Sequence, residues 1–197
     1  MRSTHLALAL LAALSPLAAC STGSSGVSAA IFQTALASKP GTVDANEAAR
    51  LISEYRAGKG LPPVTVDPTL MQIARVHSDR MAAADTMSHV LPGEGSFHDR
   101  LVAGNYDAGM AAENVAAGQR NLAEVLAAWK ASPSHDANML EPHVIEIGIA
   151  LSVSEGGRYK YFWTLVLGQR KPAGAAAGPS ARPDGTVVTI GGAVMSQ

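Results

Sequence analysis

The sequence predicts an α+β domain in which helices come first and an antiparallel β-hairpin comes last. Apolar residues recur at helical spacing through most of the chain, and the spacing changes to a period of two from Ile145 onward. Asp44 and Asp67 are typical helix-capping residues, and Pro133 marks a helix end. Helices followed by a terminal hairpin favour segregated α and β elements over alternating βαβ units.

Each predicted element has its own apolar pattern. Four helices are predicted, with inward residues Ala48, Leu51, Ile52 and Tyr55 in the first, Leu70, Ile73, Ala74, His77, Met81 and Ala84 in the second, Phe97 and Leu101 in the third, and Leu122, Val125, Leu126 and Trp129 in the fourth. The first strand is predicted over Ile145 to Val153 with its odd residues inward. After a turn at 155–158, its partner alternates from Tyr159 to Leu167.

Composition excludes two classes of protein. The chain has 197 residues with 15 Lys and Arg against 16 Asp and Glu, so it lacks the basic surplus that a nucleic-acid-binding surface needs. It has one cysteine, which rules out a disulfide scaffold. Its length fits one ordinary domain.

The first 19 residues are interpreted as a secretory signal peptide. Arg2 gives a positive start, and Leu6 to Leu14 is an apolar run too short to span a bilayer. The ending Leu17-Ala18-Ala19-Cys20 resembles the bacterial lipobox, in which the cysteine is acylated and becomes the mature amino terminus. The alternative is ordinary cleavage after Ala19 with a free thiol at Cys20.

The predicted organisation has four parts. Residues 1–19 are the signal peptide, 20–43 the lipidated cysteine and a Ser/Gly/Ala-rich flexible tether, 44–169 the folded domain, and 170–197 a Pro/Ala/Gly-rich disordered tail. Ser21 in place of Asp after the cysteine points to the outer membrane if the organism is Gram-negative. Whether Thr186 to Ile190 adds an edge strand is left open.

The histidines are candidates for a metal or acid–base site. His77 lies on the predicted core face of the second helix, where a hydrogen-bonded core histidine is the simpler explanation, and His98 and His143 are predicted at the surface. His89 and His135 lie in loops, where functional sites concentrate. Glu113 is a charge among small apolar residues and needs a partner. Spacing alone leaves a surface explanation for these last three residues about as good as a site.

The order of several short motifs resembles that of a known family. The motifs are Asn46 to Arg56 with Gly60-Leu61, Asp67 to Met81, Ser88-His89, Glu113 to Ala116, Trp129 to Leu140, and Ile147 to Ile149. They are similar to those of bacterial CAP domains, the superfamily of cysteine-rich secretory, antigen-five and pathogenesis-related proteins, also called SCP domains, in its short bacterial branch. The resemblance implies a three-layer α-β-α sandwich with an antiparallel sheet between helices.

The resemblance also implies a central cleft. Longer relatives carry two histidines and two glutamates there, and His89, Glu113 and His135 match three of these positions. The fourth is missing, because Lys130 and Ala131 follow Trp129 where an acidic residue is expected. Two imidazoles and one carboxylate would suit a divalent metal, zinc above all, with an open position for water.

Two functions of different classes remain open from the sequence, beside a third possibility that the domain is only an interaction scaffold with a vestigial polar cleft. The first and preferred is a lipid-anchored module that binds a lipid-like or cell-envelope ligand and uses the membrane as a partner through Cys20. The alternative is a metal-assisted hydrolase, a peptidase or esterase, with Glu113 as ligand or base. The sequence has no Gly-x-Ser-x-Gly motif, and Ser88-His89 has no identified acid to complete a triad.

Overall fold

The computed structural model describes residues 41–172 and, for the backbone alone, two short strands at 187–190 and 194–195. The predicted signal peptide, Cys20, the tether up to residue 40 and the rest of the tail lie outside the described residues. No helix within the described ranges is long and apolar enough to cross a membrane.

Within residues 41–172, five helices form around the sheet. They are α1 (Ala45–Ala57), α2 (Pro68–Ala84), α3 (Phe97–Ala103), α4 (Leu122–Ala131) and α5 (Pro133–Met139). Asp44 caps α1 and Asp67 caps α2 through their side chains, as their positions in the sequence predict. Pro133 ends α4 and opens α5 at once, so two helices follow each other where one was predicted.

The strands form one sheet with an antiparallel centre. They are β1 (Thr65–Val66), β2 (Ala108–Ala117), β3 (Glu146–Val153), β4 (Tyr161–Arg170), β5 (Val187–Ile190) and β6 (Val194–Met195). The order is β1-β3-β4-β2-β5, with β6 also on β2. β4 is antiparallel to both β3 and β2, whereas β1, β5 and β6 add in parallel at the two edges.

Helices cover both faces of the sheet, which confirms the predicted three-layer sandwich. One face packs against α1, α4 and α5 in a core that contains both tryptophans, Trp129 and Trp163. The opposite face packs against α2 and α3 through Leu70, Phe97 and Leu101. Residues of β2 point alternately into these two cores, since successive side chains of a strand face opposite ways.

Helix α2 lies closer to β3 than ordinary side chains would allow. A Cβ atom at Gly148 would lie 2.1 Å from the backbone carbon of Leu70. The even residues of β3, Gly148, Ala150 and Ser152, are therefore small because the helix packs directly on them. The predicted period of two separates large from small side chains over Ile147 to Ser152, where both sets are buried. At the two ends the prediction is wrong, because Ile145 and Val153 are 42% and 37% exposed. β4 begins at Tyr161, so Tyr159 lies in the preceding turn and not in the strand as predicted.

A buried arginine ties the first helix to a distant segment. Arg56, at the end of α1, has no exposed surface. Its guanidinium donates to four backbone carbonyls, those of Pro62, Met139, Glu141 and Val144, at 2.8–2.9 Å. Burial lowers the pKa of Arg56. The hydrogen bonds replace the water that the group loses on folding.

Candidate functional site

Strand β2 carries Glu113 into the core on the α2 and α3 side of the sheet. The carboxylate has no exposed surface. One oxygen accepts a hydrogen bond from Nδ1 of His89 at 2.9 Å, and the other accepts one from Nη2 of Arg100. Both oxygens are therefore engaged, one by an imidazole and one by a guanidinium.

The charges around Glu113 keep it ionised. Burial by itself would raise the pKa of this carboxyl group. The hydrogen bond from His89 and the charges of Arg100 and His77 outweigh burial and hold the pKa below its ordinary value. Because the ionised carboxylate only accepts, His89 donates to it through Nδ1.

His77 and Glu94 fix the loop that carries His89. The ring of His77 is fully buried on α2, as its position on the core face predicts. Its Nδ1 contacts both oxygens of Glu94 at 2.8 and 2.9 Å, and its Nε2 contacts the carbonyl of Ser88 at 2.9 Å. Carbonyls and ionised carboxylates only accept, so both contacts are hydrogen bonds when both ring nitrogens carry protons.

Arg100 completes this attachment. Besides Glu113, it donates from Nη1 to the carbonyl of His89 at 2.8 Å and lies 3.8 Å from Glu94. The imidazole of His89 is thus held through both its side chain and its backbone. The result is a buried network of two carboxylates and two basic groups, with His89 at its partly exposed margin.

His135 approaches from α5 on the other side of β2. Its ring is fully buried, and its Nδ1 lies 2.8 Å from the hydroxyl of Ser132. The carbonyl of His135 accepts from the side-chain amide of Asn114 on β2. Asn138, one turn further along, donates to the carbonyl of Glu113 and to the side chain of Asn114. These amides fasten α5 to the strand that carries Glu113.

The second ring nitrogen of His135 is unusual. Nε2 is buried and has no hydrogen-bond partner within the part of the chain that the structure describes. Burial lowers the pKa of His135 to about 4, and the nearby charge of His89 acts in the same direction. The ring is therefore neutral at pH 7, and one of its polar atoms lacks the partner that buried nitrogen normally finds.

The predicted set of three metal ligands does not fit the geometry at Glu113. Both of its oxygens are held, one by His89 and one by Arg100. The positive guanidinium of Arg100 would repel a metal ion bound at the same carboxylate. Across the described ranges, no group of three or more His, Cys, Asp or Glu side chains is placed to hold an ion. What the structure shows instead is a buried Nε2 of His135 without a partner among the described residues, and a carboxylate, Glu113, that orients His89 through Nδ1.

The remaining histidines lie outside this group. His143 is exposed and lies 2.6 Å from Glu141, as a surface residue is expected to be. His98 is half-buried on α3, and its Nδ1 is buried without a partner among the described residues, so it is less exposed than predicted.

Sequence reasoning missed Arg100, Glu94 and the two asparagines. Arg100 stands between Phe97 and Leu101 on the inward side of α3, and a charge on an apolar face is a signal for a buried partner. Glu94, between Pro92-Gly93 and Gly95, gives no such signal.

The three-layer sandwich and the buried network around Glu113 define the class of domain. The chain belongs to the CAP family, described as the cysteine-rich secretory protein family, which matches residues 49–167. It is 34% identical over 114 residues to the uncharacterized protein YkwD of Bacillus subtilis (strain 168). That match covers 57% of this chain and 44% of the relative.

Two solved structures share the fold. An extracellular protein containing an SCP domain from Bacillus anthracis is 28% identical with a TM-score of 0.56, over 64% of this chain and 39% of that one. An outer surface protein from Borrelia burgdorferi is 23% identical with a TM-score of 0.58, over 68% of this chain and 100% of that one. This chain therefore spans less than half of the two Bacillus proteins.

Proposed function

We propose that this CAP-domain protein is a binding module of the bacterial cell envelope, exported and held at a membrane by acyl chains on Cys20. One of the similar solved proteins is extracellular and another is an outer surface protein, which supports export. The proposed destination is the outer membrane if the cell is Gram-negative, because Ser21 follows the cysteine.

One observation carries the binding role. A neutral imidazole, His135, has a buried nitrogen that finds no partner among the described residues. Its pKa is lowered by burial and by the charge of His89, the imidazole that Glu113 orients. An unpaired polar atom of this kind costs free energy, about 1 to 3 kcal/mol, unless a ligand satisfies it. A polar atom of the ligand or a divalent ion meets that need.

The proposed metal site has two protein ligands and not the three expected from the sequence. The proposed ligands of a zinc-like ion are His89 and His135, and Glu113 is the carboxylate that orients His89 by accepting its Nδ1 proton. When bound, such an ion would act as a Lewis acid toward a ligand oxygen.

The alternative is the metal-assisted hydrolase. A general base must reach a water molecule, and both oxygens of Glu113 are already engaged in a fully buried network. The engaged oxygens of Glu113 support the proposal of binding over hydrolysis.

The test of binding uses zinc and model substrates. Protein purified without added metal is titrated calorimetrically with zinc and then assayed on peptide and ester substrates. The binding module is expected to take up zinc without turnover, and His135→Gln should abolish that uptake while the exposed control His143→Gln leaves it intact. Zinc-dependent turnover would contradict the binding module and support the hydrolase. An absence of saturable zinc uptake would contradict the proposed metal site.

The test of anchoring is mass spectrometry of the mature amino terminus. We expect an acylated Cys20 in the parent protein and in a Ser24→Ala control. Cys20→Ala should remain an unprocessed precursor. An unmodified Cys20, or a terminus elsewhere, would contradict the lipid anchor.

A further inference from the structure

The C-terminal strands lie beside the candidate site. In β5, Val187 pairs in parallel with Met110, and Ile190 pairs with Glu113. β6 continues along the same strand, with Val194 opposite Ala116. β5 also lies against α5, the helix that carries His135. A segment of the chain's own tail therefore runs past the elements that hold Glu113 and His135.

These two strands cover an edge of the sheet. β4 occupies one side of β2, and β5 and β6 are the strands that the described part of the chain places on the other. Without them, β2 would present a row of unpaired N–H and C=O groups. Such an edge is a template for the addition of an extended peptide, which gains affinity from main-chain hydrogen bonds.

The covalent connection does not force this pairing. β4 ends at Arg170, opposite Ala108, and β5 begins at Val187, opposite Met110. These ends lie two strand spacings apart, about 10 Å. Residues 171–186 are long enough to span several times that distance. The connection from β4 to β5 is therefore longer than it needs to be, so it does not force β5 onto β2. The pairing of β5 with β2 is comparable to the binding of a tethered peptide.

These strands lie outside the part of the chain that matches the family. The match to the CAP family covers residues 49–167, and β5 and β6 follow it. Their segment, Thr186 to Gln197, has no charged residue and contains the run Val-Val-Thr-Ile. β-branched residues of this kind favour extended strands.

We propose that the edge of β2 away from β4 is a docking site for an extended, uncharged peptide segment rich in β-branched residues, which the strands β5 and β6 occupy in cis. The proposal deepens the binding function above and rests on it, because it makes a polypeptide strand the ligand class of the same cleft. A partner protein that offers such a segment competes with the chain's own tail.

The test uses the full chain with proline at one of two neighbouring positions. Successive N–H groups of a strand point to opposite edges, so only one of Val188→Pro and Thr189→Pro removes a donor that faces β2. The other serves as the matched control. The probe is a fluorescent synthetic peptide of residues 184–197, and its binding is followed by anisotropy.

The variant whose proline removes the donor that faces β2 should bind the peptide at least about tenfold more tightly than the parent chain. In that variant the tethered strand no longer competes at its high local concentration. The same peptide with the same proline should not bind. Equal binding by parent and both variants, or no saturable binding by either variant, would overturn the docking site.

A measurement on the unaltered chain covers the case in which a variant does not fold. Hydrogen exchange should be much faster at the β2 amides that face β5 than at those that face β4, since a docked strand opens locally. Equal protection on both sides would make β5 an integral strand and overturn the proposal. Zinc titration of the same proteins separates the two proposals, because intact zinc uptake without peptide binding contradicts only the docking site.

Discussion

Arg100 and Glu113 form an ion pair between α3 and β2, at a point where both side chains are almost fully buried. The same guanidinium donates to the carbonyl of His89. One arginine thus neutralises the carboxylate and positions the loop that brings a histidine to it.

Replacing Arg100 with Met should leave a buried, uncompensated carboxylate. Removing one partner of a buried pair typically costs about 3 to 5 kcal/mol in the free energy of unfolding. Urea denaturation measures the loss. The double variant Arg100→Met/Glu113→Gln should be more stable than Arg100→Met alone, since the charge is gone. A double variant that loses the sum of both single effects would show that the two side chains are not coupled.

The stability of the domain should fall in mild acid because of His135. Its pKa is about 4 in the folded state against 6.5 as an ordinary value, so the unfolded chain binds a proton first as pH falls. The stabilisation is therefore complete above about pH 6.5 and is lost progressively as pH approaches 4. His135→Asn should flatten the dependence of the melting temperature on pH across this range. The exposed control His143→Asn should retain the slope; the same slope in both variants would contradict the assignment to His135.

Gly148 should not tolerate alanine. The added Cβ would lie 2.1 Å from backbone atoms of Leu70, and α2 would have to move off the sheet. We expect a large loss of melting temperature or failure to fold. Gly156→Ala is the matched control, because a Cβ there meets nothing within 4 Å. Similar melting temperatures for the two variants would show that α2 does not lie this close to β3.

Trp129 and Trp163 should each be essential to one core. Both are fully buried on the α1 side of the sheet, and their indole nitrogens donate to the carbonyls of Val115 and Gln119. Replacing either with Ala should cost about 3 to 5 kcal/mol by denaturant titration. The Phe variants should lose less, because they keep most of the buried area. An unchanged denaturation midpoint for either Ala variant would contradict the packing.

Most of the α+β fold could be predicted because its elements carry local signals. Asp67 with Pro68 caps a helix wherever that helix packs. The odd residues of β3 and β4 show a period of two because they fill the core that contains both tryptophans. β2 carries no such signal. It is built largely of alanine, with Glu113 and Asn114 in its middle, and these residues do not favour strands. It is a strand because β4 and the two helical layers bury it on both faces.

The candidate site could be predicted only in part. The family motifs identify His89, Glu113 and His135, and the structure brings His89 and Glu113 into direct contact. The partner of Glu113 comes from α3, and no spacing in the sequence places Arg100 beside β2. The sequence suggested a ligand role for Glu113 because a lone carboxylate among alanines needs a cation. In the structure that cation is the guanidinium of Arg100.

Arg56 has a consequence for how the domain folds and unfolds. Three of its bonds reach carbonyls 83 to 88 residues further along the chain, at Met139, Glu141 and Val144. Contacts of such long range form only after much of the intervening chain is in place, so they are expected late, after the main kinetic barrier. In stopped-flow measurements, Arg56→Met should therefore speed unfolding while leaving the refolding rate nearly unchanged. Arg56 would then govern how long each folded molecule lasts, and hardly at all how quickly it forms.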